Sequence, residues 1–133
     1  MANAFYPEGK SAFMRSEINM LTDTVSVVLI DSTDYTYSET HEFLSDVPAA
    51  ARIASAALAN KSVLAGVFDA DNVTLSAVTG DEAEAVIIYQ DTGVETTSRL
   101  IAYLDTGSGL PVTPNGDDIN INWSDSATKI FKL

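Results

Sequence analysis

Two short apolar runs constrain this chain more than anything else in it: Ile87-Ile88-Tyr89-Gln90-Asp91-Thr92-Gly93 and Ile101-Ala102-Tyr103-Leu104-Asp105-Thr106-Gly107. Each is apolar on both faces of an extended strand and closes on Asp-Thr-Gly, three residues that suit a turn. The two copies are offset by 14 residues, the span of a strand, a turn and the start of the next strand. The repeat therefore reads as neighbouring strands, too close for one of the usual solenoid periods. A third run follows, in which Ile119, Ile121 and Trp123 share one face while Asn120 and Asn122 take the other. Residues 84–133 thus read as a C-terminal strand meander. Strands apolar on both faces must be covered on both, so one face is expected to be the core and the other to meet a second layer or another subunit.

The rest of the chain fits the same fold class. The β-branched run 25–30 is a strand, and 73–77 alternates as a half-buried strand does. The alanine-rich stretch 49–59 has helix propensity, but its core 52–58 is short and lies between Pro48 and Asn60-Lys61-Ser62, which favours a strand. Gly66 in the middle of 63–68 marks a bulge or a close backbone approach. Pro7-Glu8-Gly9 reads as a turn. Residues 10–20 then predict one amphipathic helix whose stripe of Phe13, Met14, Ile18 and Leu21 packs on the sheet. Residues 31–38 are a polar loop or edge carrying Tyr35 and Tyr37, and 41–44 a helical turn closed by Asp46-Val47-Pro48. Pro111 and Pro114 bar 109–116 from a central strand, Asn115-Gly116 is the strongest hairpin-turn signal, and 130–133 should be tied to a sheet edge or a neighbour. The expected fold is mainly β, an antiparallel sandwich or barrel-like meander with one short N-terminal helix. It forms a single domain over 1–133 with an N-terminal arm at 1–9.

Composition removes several function classes. The 133 residues suffice for one domain that buries roughly two thirds of its unfolded surface. The absence of Cys rules out disulfides and thiolate chemistry, and the single histidine, His41, does not suffice for a multi-imidazole metal site. Nineteen acidic residues against seven basic ones leave a formal charge of -12, which repels phosphate backbones, so no nucleic-acid partner is expected. No apolar run approaches the roughly 20 residues of a membrane helix, and the N-terminus lacks the features of a secretory signal, so no membrane partner is expected either.

The sharpest enzymatic pattern is Asp-Thr-Gly itself, which aspartic peptidases use to hold two carboxylates around one proton. Here the copies fall on neighbouring strands, and only 26 residues follow Gly107, too few for a flap and a second core motif. An aspartic-peptidase-like activity is therefore the weaker alternative to strand-terminating turns, and no catalytic residue is assigned. Asp69-Ala70-Asp71-Asn72 and Gly116-Asp117-Asp118 offer oxygens to calcium, but neither fits an EF-hand loop and acidic turns are ordinary in so acidic a chain. His41 beside Glu42 marks no nucleophile. No metal or cofactor is expected. The residues set apart as interface candidates are Phe5, Tyr6, Trp123, Phe131 and Leu133, near the two ends; aromatics favour interfaces but fill cores more often, and Trp123 leans towards the core.

The opening Met1-Ala2-Asn3-Ala4-Phe5-Tyr6-Pro7, Asp23-Thr24-Val25-Ser26-Val27-Val28-Leu29, His41-Glu42-Phe43-Leu44 and Gly66-Val67-Phe68-Asp69-Ala70 carry a resemblance. So do both Asp-Thr-Gly turns, Gly109-Leu110-Pro111-Val112-Thr113-Pro114-Asn115-Gly116 and Lys129-Ile130-Phe131-Lys132-Leu133. Over nearly its whole length the chain resembles a family of small virion structural proteins of tailed bacteriophages. The resemblance implies a capsid cement or decoration protein, made in the host cytoplasm and placed on the outer capsid surface. Its implied partners are the major capsid protein and further copies of itself, as a trimer. A tail or host-binding module is the alternative, and a free-standing ligand-binding barrel a weaker one.

Overall fold

A computed structural model describes residues 3–105, 110–123 and 130–133. The two apolar runs become β7 (Ala85–Gln90) and β8 (Leu100–Leu104), an antiparallel pair inside a five-stranded sheet. The sheet is completed by β1 (Ala4–Phe5), β2 (Val25–Ile30) and β3 (Arg52–Ala57), in the order β1-β8-β7-β2-β3. β4 (Ser62–Leu64), β5 (Val67–Asp69) and β10 (Phe131–Lys132) form a second, three-stranded sheet, and β6 (Val73–Leu75) pairs with β9 (Ile119–Ile121) as a ribbon. One α-helix, α1 (Pro7–Met14), lies against β8. The fold is mainly β with antiparallel pairing and one helix, and it is sandwich-like. β1 and β3 end the main sheet, so it does not close into a barrel. Among the described residues no helix is long and apolar enough to cross a membrane.

Every residue of β2 and β7 is buried, because the sheet is covered on both faces. Val25, Val27, Leu29, Val86 and Ile88 face a first core with Phe68, Phe131, Val73 and Leu75 from the smaller sheets and Ala12 from α1. Val28, Ile30, Ala85, Ile87 and Tyr89 face a second core with Tyr6, Tyr35, Leu44, Val47 and Ala51. Each fully buried Val, Ile or Leu contributes about 1.5–3 kcal/mol of transfer free energy. The second apolar face is thus closed by the chain's own irregular segment between β2 and β3, without a second subunit.

Several expectations need correcting, each for a local reason. The helix begins at Pro7, which occupies the first helical position where its missing N–H costs nothing. It ends at Met14 rather than near residue 20 in a Schellman motif: the Glu17 N–H reaches the Ala12 carbonyl, the Ser16 N–H reaches that of Phe13, and Ser16 has φ 61°. Gly9 and Ala12 are its buried residues, whereas Met14 and Leu21 of the expected stripe are exposed. Gly66 is no bulge. It shares a two-residue hairpin turn with Ala65, at φ 79° and 52°, and splits 63–68 into β4 and β5. The C-terminal meander stops after β8, whose other neighbour is β1, while β9 leaves for β6. Asn115-Gly116 makes no tight hairpin, since Val112 bridges Ala83 and Ile119 pairs with Leu75. The helical turn expected at 41–44 is a 3-10 turn at Leu44–Asp46. The strands over 25–30, 52–57 and 73–75 lie where the pattern puts them.

Candidate interaction surfaces

Tyr6 and Phe131, proposed from sequence as interface residues, are core residues of the protein's own fold. Tyr6 has no exposed surface: its backbone N–H bonds the Ile101 carbonyl at 3.0 Å and its hydroxyl pairs with that of Tyr35 at 2.8 Å. Phe131 is buried between Phe68, 5.2 Å away between ring centres, and Phe5, which meets it edge-on at 5.1 Å. Phe5 is half-buried and carries the Lys10 ammonium 5.5 Å from its ring centre. The arm at 1–9 is accordingly not free: β1 is the edge strand on β8, with Ala4 opposite Tyr103 and Phe5 opposite Ala102, and Met1 and Ala2 lie outside the described residues. Trp123 is half-buried on the first core, its indole N–H donating to the Asp71 carbonyl at 3.0 Å. Sequence alone could not separate these cases, because an aromatic near a chain end has the same composition whether a strand pairing buries it or not.

Leu133 is the interface candidate that stands at the surface, 56% exposed, and the fold gives it company. Its N–H bonds the Gly66 carbonyl at 3.0 Å, which brings it to the tip of the β4–β5 hairpin. Leu64 on that hairpin is 80% exposed and Val63 48%. Among the described residues β4 pairs with β5 on one side only, so its other edge presents backbone groups beside exposed apolar side chains. Val63 and Leu64 were not singled out because the run 63–68 read as one strand-like segment with a bulge or close approach at Gly66.

The arginines are each paired within the fold. Arg99 donates to Glu17 at 2.6 Å and Glu42 at 2.8 Å and sits over the Phe43 ring. Arg52 binds the Val47 carbonyl through two nitrogens and pairs with Glu95, and Arg15 pairs with Glu17. All three arginines of the chain are thereby engaged, and Lys61 donates to the Asp23 carbonyl. The outward field is acidic.

The Asp-Thr-Gly turns are separated by the pairing itself. In β7–β8, Val86 faces Leu104 and Tyr89 faces Leu100, so Asp91 and Asp105 follow opposite ends of the hairpin and cannot share a proton within one chain. Asp91 instead accepts the Gly93 N–H at 2.9 Å and the Ser26 hydroxyl at 3.3 Å, a turn-closing role; Thr106 and Gly107 lie outside the described residues. The acidic turns are used in the same way: Asp71 accepts from the Asn60 amide at 2.5 Å and Asp118 from the Ala77 N–H at 2.9 Å. Asp31, Asp34 and Asp81, which no spacing singled out, bring one oxygen each within 4.8 Å of one another, but Asp31 closes its own turn on the Thr33 N–H and hydroxyl.

The loop after β2 builds a cluster that sequence analysis did not foresee. Tyr6, Tyr35, Tyr37 and Tyr103 stack at ring distances of 4.9 to 6.2 Å. The Tyr35 hydroxyl also meets His41 Nδ1 at 2.8 Å, and the Tyr37 hydroxyl donates to the Phe5 carbonyl at 2.7 Å. Burial pushes the Tyr35 phenol up to about 12 and raises Tyr6 further. His41 is half-buried against this cluster. Beside the cluster opens a cleft of about 450 Å³.

No protein-family signature matches the chain, and no curated protein sequence matches it.

Proposed function

We propose that the protein is a structural component of a tailed-phage virion, a cement or decoration protein that binds the major capsid protein on the outer surface of the head and acts as a homotrimer. The observation that carries this reading is the resemblance spread over nearly the whole chain, from the segment before Pro7 to Leu133. The surface described above supports it. A β4 edge unpaired among the described residues, with Val63, Leu64 and Leu133, is an apolar contact region of the kind that subunit and capsid contacts require. An acidic exterior with its arginines tied internally suits a position away from packaged DNA. Cryo-electron microscopy of the virion tests the assignment: density for the chain is expected on the outside of the capsid, and density on the tail, or none in the particle, overturns it.

A further inference from the structure

The cleft beside β8 combines aromatic rings and carboxylates with the Ser32 and Thr36 hydroxyls and an apolar edge at Leu110 and Pro111. Tyr35, Tyr37 and Tyr103 give it aromatic walls, Glu84 and Asp105 give it two carboxylates, and among the described residues no lysine or arginine lines it. The Tyr103 side chain is nearly all buried, 4% exposed, yet it reaches the cleft, and among the described residues its hydroxyl makes no hydrogen bond. The neighbouring hydroxyls differ, since Tyr35 and Tyr37 are committed to Tyr6, His41 and the Phe5 carbonyl. Glu84 uses one carboxylate oxygen on the Ser32 N–H at 3.3 Å. Burial raises the Tyr103 phenol, and Asp105 and Glu84 raise it further, which places both negative charges close to that ring.

Such a site favours a cationic ligand that donates to carboxylates and has a face to lay on an aromatic ring. Ser32 and Thr36 add hydroxyls that can donate or accept, so hydrogen bonding alone would admit a sugar, but two carboxylates with no cation among the described lining residues leave negative charge that a neutral sugar does not balance. A guanidinium carries donors only, is flat enough to lie on a tyrosine face, and gains from a carboxylate at its edge. None of this chain's three arginines is available, since Arg15, Arg52 and Arg99 are held by Glu17, Glu95, Val47 and Glu42. We propose that this cleft receives an arginine side chain of a partner protein, its guanidinium donating to Glu84 and the Tyr103 hydroxyl and stacking on a tyrosine ring. The inference stands apart from the virion assignment, because it follows from the cleft alone.

The test is a nuclear magnetic resonance titration of the full chain with N-acetyl-arginine amide, run in parallel with the capped lysine, the capped neutral isostere citrulline, a methyl glycoside and calcium chloride. Saturable shifts at Tyr37, Glu84 and Tyr103 are expected with the arginine derivative, weaker ones with lysine and none with the other three. Glu84→Gln should weaken arginine binding by about tenfold, the effect of removing one charge-assisted hydrogen bond, and Tyr103→Phe should weaken it while keeping the ring. The proposal is overturned by an absence of saturable shifts with arginine at millimolar concentration. Equal responses to lysine, citrulline, glycoside or calcium overturn it as well, and so does affinity unchanged in both variants.

Discussion

Gly9 shows how one missing side chain positions a helix. A Cβ at this position would run into the Leu100 carbonyl oxygen, so α1 can lie on β8 only because residue 9 has none. Gly9→Ala is expected to destabilise the protein by about 1–3 kcal/mol, the usual range for forced overpacking, and urea unfolding beside a Ser11→Ala control measures it. At the same scale, the tyrosine cluster couples stability to alkaline pH. An exposed tyrosine ionises near pH ~10. In the folded protein burial raises Tyr35 to about 12, and burial, then the hydrogen bond to Tyr35, raises Tyr6 beyond that. The folded state keeps protons that the unfolded chain has lost, so this contribution is complete below the unfolded value and is lost as pH rises through the folded one. The urea midpoint should hold up to pH ~10 and fall above it, with tyrosinate absorbance appearing together with unfolding; two phenols titrating normally in the folded protein would refute this.

At the scale of elements, two turns work with a residue that is not the best one for its backbone. Ser16 takes the left-handed position of the Schellman motif that ends α1, and Ala65 takes the first positive-φ position of the β4–β5 hairpin. Ser16→Gly should stabilise the fold by about 0.5–1 kcal/mol by relieving the Cβ clash. Ala65→Asn, which creates the favoured Asn-Gly pair, should gain about as much, both read from thermal or urea unfolding. These same substitutions explain why the elements were hard to read. A glycine at 16 would have marked the end of the helix, and an asparagine at 65 would have marked a hairpin in place of a bulge. Where the turn residue matched its job, as with Pro48 and with Asp91-Thr92-Gly93, strand ends were legible.

For the whole molecule, the consequence of the fold is that its large apolar faces are already satisfied. What remains outside is an acidic shell with an apolar corner at Val63, Leu64 and Leu133 and exposed Met14, Leu21 and Val94 elsewhere. If that corner is where copies meet, Leu64→Lys should leave the unfolding midpoint nearly unchanged, within about 0.5 kcal/mol as for other exposed sites, while shifting the solution mass towards monomer. Light scattering measures the mass. A wild-type monomer at high concentration would count against the trimer, and a trimer indifferent to Leu64→Lys would move its interface elsewhere.

The sequence by itself determined the class of fold, most of the strands, and the fact that β7 and β8 would be buried on both faces, because alternation and turn chemistry are written within a few neighbouring residues. Partner choice was decided only in three dimensions. β9 could have extended the β7–β8 pair and instead joined β6, and Phe131 could have faced a neighbour and instead filled the first core beside Phe68. The second face of the sheet looked open to another subunit until residues 31–51 folded over it. The tyrosine cluster and its cleft depend on that same closure, which brings Tyr6 to Tyr35 across 29 residues of chain. Contacts at that range are selected by which surfaces remain to be buried after the strands have paired, a competition that no local pattern records.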